Sequence, residues 1–164
     1  KHMALTEQVY TAKRLTLGTY RVVKVPLERI ESVWGHAYPL LQRGMGAAPE
    51  LRMEAVIDGL MDESIQLWLV TDGAAIVAVF LTSIERDHGE WVISLYAMGG
   101  AEPQRWLHEC DVTMEYFARV EDARRIRMCG RKAWRRLLPP SFSITGERGG
   151  HNVYERAVDG GNPI

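Results

Sequence analysis

The sequence predicts a single α/β domain (α+β in detail), a mixed, mainly antiparallel sheet flanked by helices. Three observations carry this. The middle of the chain holds β-rich runs joined by turn signals, apolar stripes with helical spacing lie before and after it, and no repeat, low-complexity stretch or linker suggests a second domain.

The opening run Tyr20-Arg-Val-Val-Lys-Val25 is rich in β-branched residues and reads as a strand, which Pro26 stops. From Leu27 the apolar residues Ile30, Val33, Trp34, Tyr38 and Leu41 recur every three or four positions, so a helix with one buried stripe follows. Pro39 is expected to kink or shorten it, and the stretch Gly44 to Pro49 to end it. Leu51, Val56, Ile57, Leu60 and Met61 mark a second amphipathic helix over about Glu50 to Asp62.

The period then changes. Ile65 to Val70 and the apolar run Ala74 to Leu81 flank Thr71-Asp72-Gly73, and an Asp-Gly pair between β-rich runs predicts a hairpin in which both turn residues take positive φ. His88-Gly89 supplies a second turn, after which Trp91 to Met98 makes a third strand, with Val92, Ser94 and Tyr96 facing opposite to Ile93, Leu95 and Ala97. Gly99-Gly100 ends this strand. Pro103 suits the first turn of a long helix carrying Trp106, Leu107, Cys110, Met114, Phe117 and Val120. Ile126 to Cys129 reads as a strand, Arg131 to Leu138 as a short helix closed by Pro139-Pro140, and Phe142 to Thr145 with Asn152 to Arg156 as a closing hairpin across Gly149-Gly150. The order is β, α, α, β, β, β, α, β, α, β, β.

Composition narrows the class further. The chain has 164 residues, 46% hydrophobic and 25% charged, enough to bury a core without disulfides or metal. Its longest apolar run, Ala74 to Leu81, is far below the roughly 20 residues of a membrane span. With no secretory pattern at the N-terminus, the expected compartment is the cytoplasm. Lys1-His2 before Met3 reads as a cloning scar, so residues 1–19 are expected to be a tag remnant and N-terminal segment, 20–158 the domain, and 159–164 a frayed tail. Cys110 and Cys129 fit no CxxC or Cys/His ligand spacing, so they are expected to be buried free thiols, with no metal.

This order of elements, from Tyr20 to about Arg156, resembles the GNAT acyltransferase fold. The resemblance implies that the strand ending at Met98 and the strand Ile126 to Cys129 splay apart, with acetyl-CoA or another acyl-CoA in the gap. It also implies a pyrophosphate held by the loop into the helix near Pro103, where unpaired N–H groups and the helix dipole favour anions. The cofactor-binding residues implied are Met98, Gly99, Gly100, Ala101, Gln104 and Arg105, with Arg131 and Lys132 from the short helix.

Two features depart from the family pattern. The loop Met98-Gly-Gly-Ala-Glu-Pro103 lacks the leading Gln or Arg of the family's Gln/Arg-x-x-Gly-x-Gly/Ala motif and places Glu102 where a phosphate would be repelled. Trp134 stands where the family has a tyrosine that protonates the leaving thiolate, and with Leu137 and Leu138 it makes an apolar face. Glu85, His88, Glu90 and Tyr96 are the residues among which a general base would be sought, although the carboxylates at this turn read as surface groups. The segments Val33 to Gln42 and Gly130 to Pro139 also look like those of small GNAT-like proteins encoded by tailed bacteriophages, which implies a phage or prophage origin and a host-cytoplasm or virion location.

Charge is uneven. Arg119 to Arg136 holds eight basic residues against Glu121 and Asp122, a local balance of +6, while the remainder carries −7. This cluster could meet CoA phosphates, dock another anionic partner, or pair with the acidic remainder of the chain. Two functions stay open: an acyl-CoA-dependent N-acetyltransferase acting on a small or protein amine, and a non-catalytic GNAT-like protein that binds a protein or nucleic-acid partner or has a structural role.

Overall fold

The computed structural model describes residues 19–46 and 51–159. Strand β1 (Tyr20–Lys24) and a 3-10 turn (Leu27–Arg29) lead into helix α1 (Ile30–Met45), and α2 (Met53–Met61) follows. Strands β2 (Gln66–Asp72), β3 (Ala75–Asp87) and β4 (Glu90–Gly100) form the meander. A second 3-10 turn (Pro103–Arg105) opens into α3 (Leu107–Val120), and β5 (Arg125–Gly130), a 3-10 stretch (Lys132–Arg136), β6 (Ser143–Arg148) and β7 (His151–Ala157) complete the order. The expected sequence of elements is present, with the last short helix narrowed to 3-10 geometry.

The seven strands form one sheet in the order β1-β2-β3-β4-β5-β7-β6. Every neighbouring pair is antiparallel except β4 and β5, which run parallel with α3 as the crossover. Helix α3 covers one face, where Trp68 stacks 5.8 Å from Phe80 and meets the edge of Phe117 at 5.0 Å. Helices α1 and α2 cover the other, seating Ala37, Leu41, Val56 and Leu60 on Leu67, Leu69, Val79 and Leu81. One polar chain crosses the core: the Trp68 indole donates to the Thr82 hydroxyl (2.9 Å), which donates to Gln66 (2.7 Å), so these groups are satisfied.

Several boundaries differ from expectation for identifiable reasons. Pro39 does not end α1, which runs six residues past it to Met45. Proline removes the bond to the carbonyl four residues back, here that of Gly35, and both residues lie on the exposed face where water can take up the carbonyl. Helix α2 starts at Met53 because Arg52 is still extended (φ −110°, ψ 144°), and Glu50 lies outside the described residues. Residues 1–18 and 160–164 lie outside them too, whereas the Asp159 amide donates to Glu115 at 3.0 Å.

The first hairpin turns on Gly73-Ala74, since Asp72 pairs with Ala75, and only Gly73 has positive φ (62°). That is the behaviour of a type II′ turn, which needs it at the first position alone; the expected Asp72-Gly73 pairing was one residue early. His88 and Gly89, with φ of 52° and 81°, form the I′-type turn between β3 and β4. Cys110 is buried as expected, but Cys129 is only half-buried because it sits where β5 leaves its neighbour.

Strand β4 also breaks its expected alternation. Leu81 pairs with Tyr96 and Val79 with Gly99, so β4 carries one extra residue there, and Ala97 has φ 57°. This bulge turns Ala97 into the α1 side of the core, although Ile93 and Leu95 face α3. It also lets α1 approach very closely: a Cβ on Gly99 would press into the Leu40 carbonyl and lie 3.1 Å from the Gly44 amide nitrogen, and one on Gly44 would lie 2.7 Å from the Met98 carbonyl carbon. Gly99→Ala must therefore push helix and sheet apart, and a loss of about 1–3 kcal/mol is expected in urea unfolding followed by circular dichroism. A midpoint unchanged from the parent protein would contradict this contact.

Candidate functional site

The parallel ladder between β4 and β5 is short. Val92 to Leu95 pair with Arg125 to Met128, and beyond them β4 runs on to Gly100 and β5 to Gly130 without pairing to each other. The bulge at Ala97, a feature that raises local twist and bends a strand, lies two residues past the last paired position. A cleft of about 290 Å³ lies at this parting, lined by Arg43, Met98 to Ala101, Pro103, Arg131, Ala133, Trp134 and Leu137.

One wall comes from the stretch after β5. Gly130 lets Trp134 fold back on it, since a Cβ there would lie 2.8 Å from the indole Cδ1. The buried Tyr154 hydroxyl donates to the Arg131 carbonyl at 2.8 Å and so fixes where the Arg131 side chain starts. Trp134 is half-buried, as its apolar stripe implied, and presents its remaining face to the cleft. The opposite wall is β4, with Arg43 reaching in from the last turn of α1.

Of the residues implied by resemblance, Met98, Gly99, Gly100, Ala101 and Arg131 come together in the cleft. Gln104 and Arg105 are exposed outside it, and Lys132 turns away to pair with Glu147 at 2.9 Å. Gly99 and Gly100 differ from the expected loop: they are strand residues, in register with Val79 and Ala78. Their lack of side chains already has an internal cause, for a Cβ on Gly100 would lie 2.6 Å from the Val77 carbonyl oxygen, and Gly99 abuts α1. Glu102, in left-handed conformation (φ 54°), turns its carboxylate to Arg105 at 3.1 Å, which raises the Arg105 pKa. Arg43 and Tyr154 were missed in the sequence reading; a charged residue beside a helix glycine and a strand tyrosine carry no local signal.

The titratable residues at the β3–β4 turn are remote from the cleft. Glu85 pairs with Val92, six residues before Met98 on β4, which at the usual rise of a strand is roughly 20 Å. They serve a different structure. Arg125 reaches Asp87 (3.0 Å), Glu90 (3.2 Å) and Glu155 (3.0 Å), while Arg127 bonds Asp87 and Glu155 and lies 3.8 Å from Glu85. Tyr96 lies closer, two residues before Met98, but burial pushes its pKa up, so it stays protonated and cannot act as a base near neutrality.

These pairs also dissolve much of the basic cluster. Arg119 binds Glu115 (2.9 Å) and Asp159 (3.5 Å), so with Arg125, Arg127 and Lys132 half of the eight basic residues face carboxylates. Arg131, Arg135 and Arg136 are exposed with no ion pair among the described residues. No group of His, Cys, Asp and Glu among the described residues is placed to hold a metal, and no described helix is long and apolar enough to cross a membrane.

The element order, the mixed seven-stranded sheet and the parting of β4 from β5 define the fold of the GNAT N-acetyltransferases. Solved structures with this fold match most of the chain. FeeM, an N-acyl amino acid synthase from uncultured soil microbes, superposes with a TM-score of 0.59 at 11% identity, covering 85% of this chain and 88% of its own. The PaiA N-acetyltransferase of Thermoplasma acidophilum, solved in complex with coenzyme A, gives 0.53 at 10% identity, covering 85% and 99%. The aminoglycoside N(6′)-acetyltransferase of Legionella pneumophila gives 0.53 at 14%, covering 86% and 93%. No protein-family model matches the sequence, and no curated protein matches it.

The charged lattice on β3, β5 and β7 has a pH signature. Bonds from Arg125 and then Arg127 hold the Asp87 carboxyl below its usual range. A depressed folded pKa contributes stability that is full above about pH 4 and is lost as pH falls through the folded value. Asp87→Asn should therefore lower the urea midpoint at pH 7, and the gap between variant and parent should close near pH 2. A gap of constant size across that range would show that Asp87 does not act through its charge.

Proposed function

We propose that the cleft between β4 and β5 takes the acylated arm of an acyl-CoA and that the chain transfers the acyl group, acetyl in the simplest case, to an amine. The observation that carries this reading is the parting of two parallel strands beside a chamber whose lining combines apolar Met98, Trp134 and Leu137 with the cations Arg43 and Arg131. At about 290 Å³ the chamber lies at the lower end of ligand pockets, so it would enclose the pantetheine arm and leave the nucleotide to solvent. The presence of coenzyme A in one structural neighbour supports the same reading.

In that reaction the amine nitrogen attacks the thioester carbonyl, the C–N bond forms, the C–S bond breaks, and the thiolate leaves. The chain would contribute mainly by holding the thioester in line with the amine and excluding water with Trp134 and Leu137. The cleft walls carry no carboxylate or histidine among the described residues, so the proton that the amine nitrogen gives up would leave through water. The thiolate would be protonated from solvent, since Trp134 cannot donate as a phenol does.

A second reading is a GNAT-like protein that binds an anionic macromolecule without catalysis, including a protein of phage origin. Arg131, Arg135 and Arg136, exposed and without ion pairs among the described residues, favour it, as does the commitment of both glycines to internal packing. Titration with acetyl-CoA separates the two. The transferase reading expects calorimetric binding, a rise in melting temperature by mass action, and release of free thiol with some member of an amine panel. No binding at millimolar acetyl-CoA would remove it. Salt-sensitive binding to a polyanion, abolished by Arg135→Glu with Arg136→Glu, would then establish the second.

A further inference from the structure

The geometry points to a two-arginine clamp for a diphosphate: Arg43 from α1 and Arg131 from the end of β5, acting beside a loop whose backbone is partly committed elsewhere. This rests on the acyl-CoA reading for the identity of the ligand, but the clamp itself follows from how charge and backbone are disposed around the cleft.

An anion at a strand-to-helix loop is ordinarily held by free backbone amides. Here part of that supply is already used. Gly99 and Gly100 belong to the β3–β4 ladder, and Pro103 has no N–H. The Arg105 and Trp106 amides already donate to the Glu102 and Pro103 carbonyls at 3.0 and 3.1 Å. An amide also carries no net charge, so positive charge to balance a diphosphate has to come from side chains.

Two guanidinium groups are in position to supply it. Arg43 and Arg131 both line the cleft, both are exposed, and neither makes an ion pair among the described residues. Their neighbours Arg105, Lys132, Arg125 and Arg127 all have carboxylate partners. Each guanidinium is backed by structure: the Gly44–Gly99 approach brings the end of α1 to the cleft, and Tyr154 pins the Arg131 backbone. The nearest carboxylate along the loop, Glu102, is turned to Arg105. Arginine suits the task because its planar fork matches phosphate oxygens in pairs.

The test titrates the full chain and the variants Arg43→Gln and Arg131→Gln with acetyl-CoA, inorganic pyrophosphate and phosphate-free S-acetylpantetheine. Arg136→Gln, outside the cleft walls, serves as control. Each cleft variant should weaken acetyl-CoA and pyrophosphate about tenfold to a hundredfold, the loss typical of a charged hydrogen bond, and leave S-acetylpantetheine unchanged. Melting temperatures without ligand should stay near the parent's, which separates loss of the clamp from loss of fold. Binding of acetyl-CoA by parent and both variants alike would overturn the clamp and leave the transferase reading standing. Pyrophosphate binding that needs both arginines, with no affinity for acetyl-CoA, would uphold the clamp and remove that reading; no binding of either ligand would remove both.

Discussion

The extra residue in β4 at Ala97 governs the architecture around the cleft. A bulge bends the strand that carries it, and this one falls just past Leu95, the last β4 residue paired with β5. The same bulge turns Ala97 toward α1 and allows the helix to sit almost backbone to backbone on Gly99. Sheet opening and helix placement are thus one event. Without glycine at both 44 and 99, α1 would stand off and Arg43 would not reach the parting of the strands.

A second constraint comes from charge. Arg125 and Arg127 alternate on β5 with Ile126 and Met128, which are buried under α3, so both arginines emerge on the opposite face. There Asp87, Glu155, Glu85 and Glu90 arrive from three different strands. Burial opposes the charge on Arg127, and its bonds to Glu155 and Asp87 outweigh that cost and raise its pKa. Ion pairs exposed singly contribute little, but this group ties β3, β5 and β7 together beyond the point where α1 covers the sheet. On the other face Arg156 does similar work toward α3, with Asp111 at 3.0 Å and Glu115 at 2.7 Å.

These two constraints divide the basic segment by function. Arginines on β5 are structural, held by carboxylates distant in sequence, and Arg119 at the end of α3 pairs with Glu115 one turn back and with the distant Asp159. Those after Gly130 project from a short 3-10 stretch with few neighbours, and only Arg131 of that group faces the cleft. A local balance of +6 in the sequence thus corresponds in the folded chain to a smaller exposed charge beside one opening.

Much of the fold was legible in the sequence because it depends on local rules. Helical spacing from Ile30 and from Trp106, alternation through the three central strands, and turn residues at Gly73, His88-Gly89 and Gly149-Gly150 each act within a few residues. Hence the order of elements, the antiparallel meander and the apolar role of Trp134 could be read directly. The tertiary structure alone decided what occupies the cleft walls. Gly99 and Gly100 look like a loop from sequence, yet they are ladder residues whose absent side chains make room for Leu40 and Val77. Arg43 is an ordinary surface residue of an amphipathic helix until a bulge 54 positions later brings that helix onto β4. Steric closeness and charge pairing between distant segments leave no local periodicity, and for that reason only the folded chain reveals them.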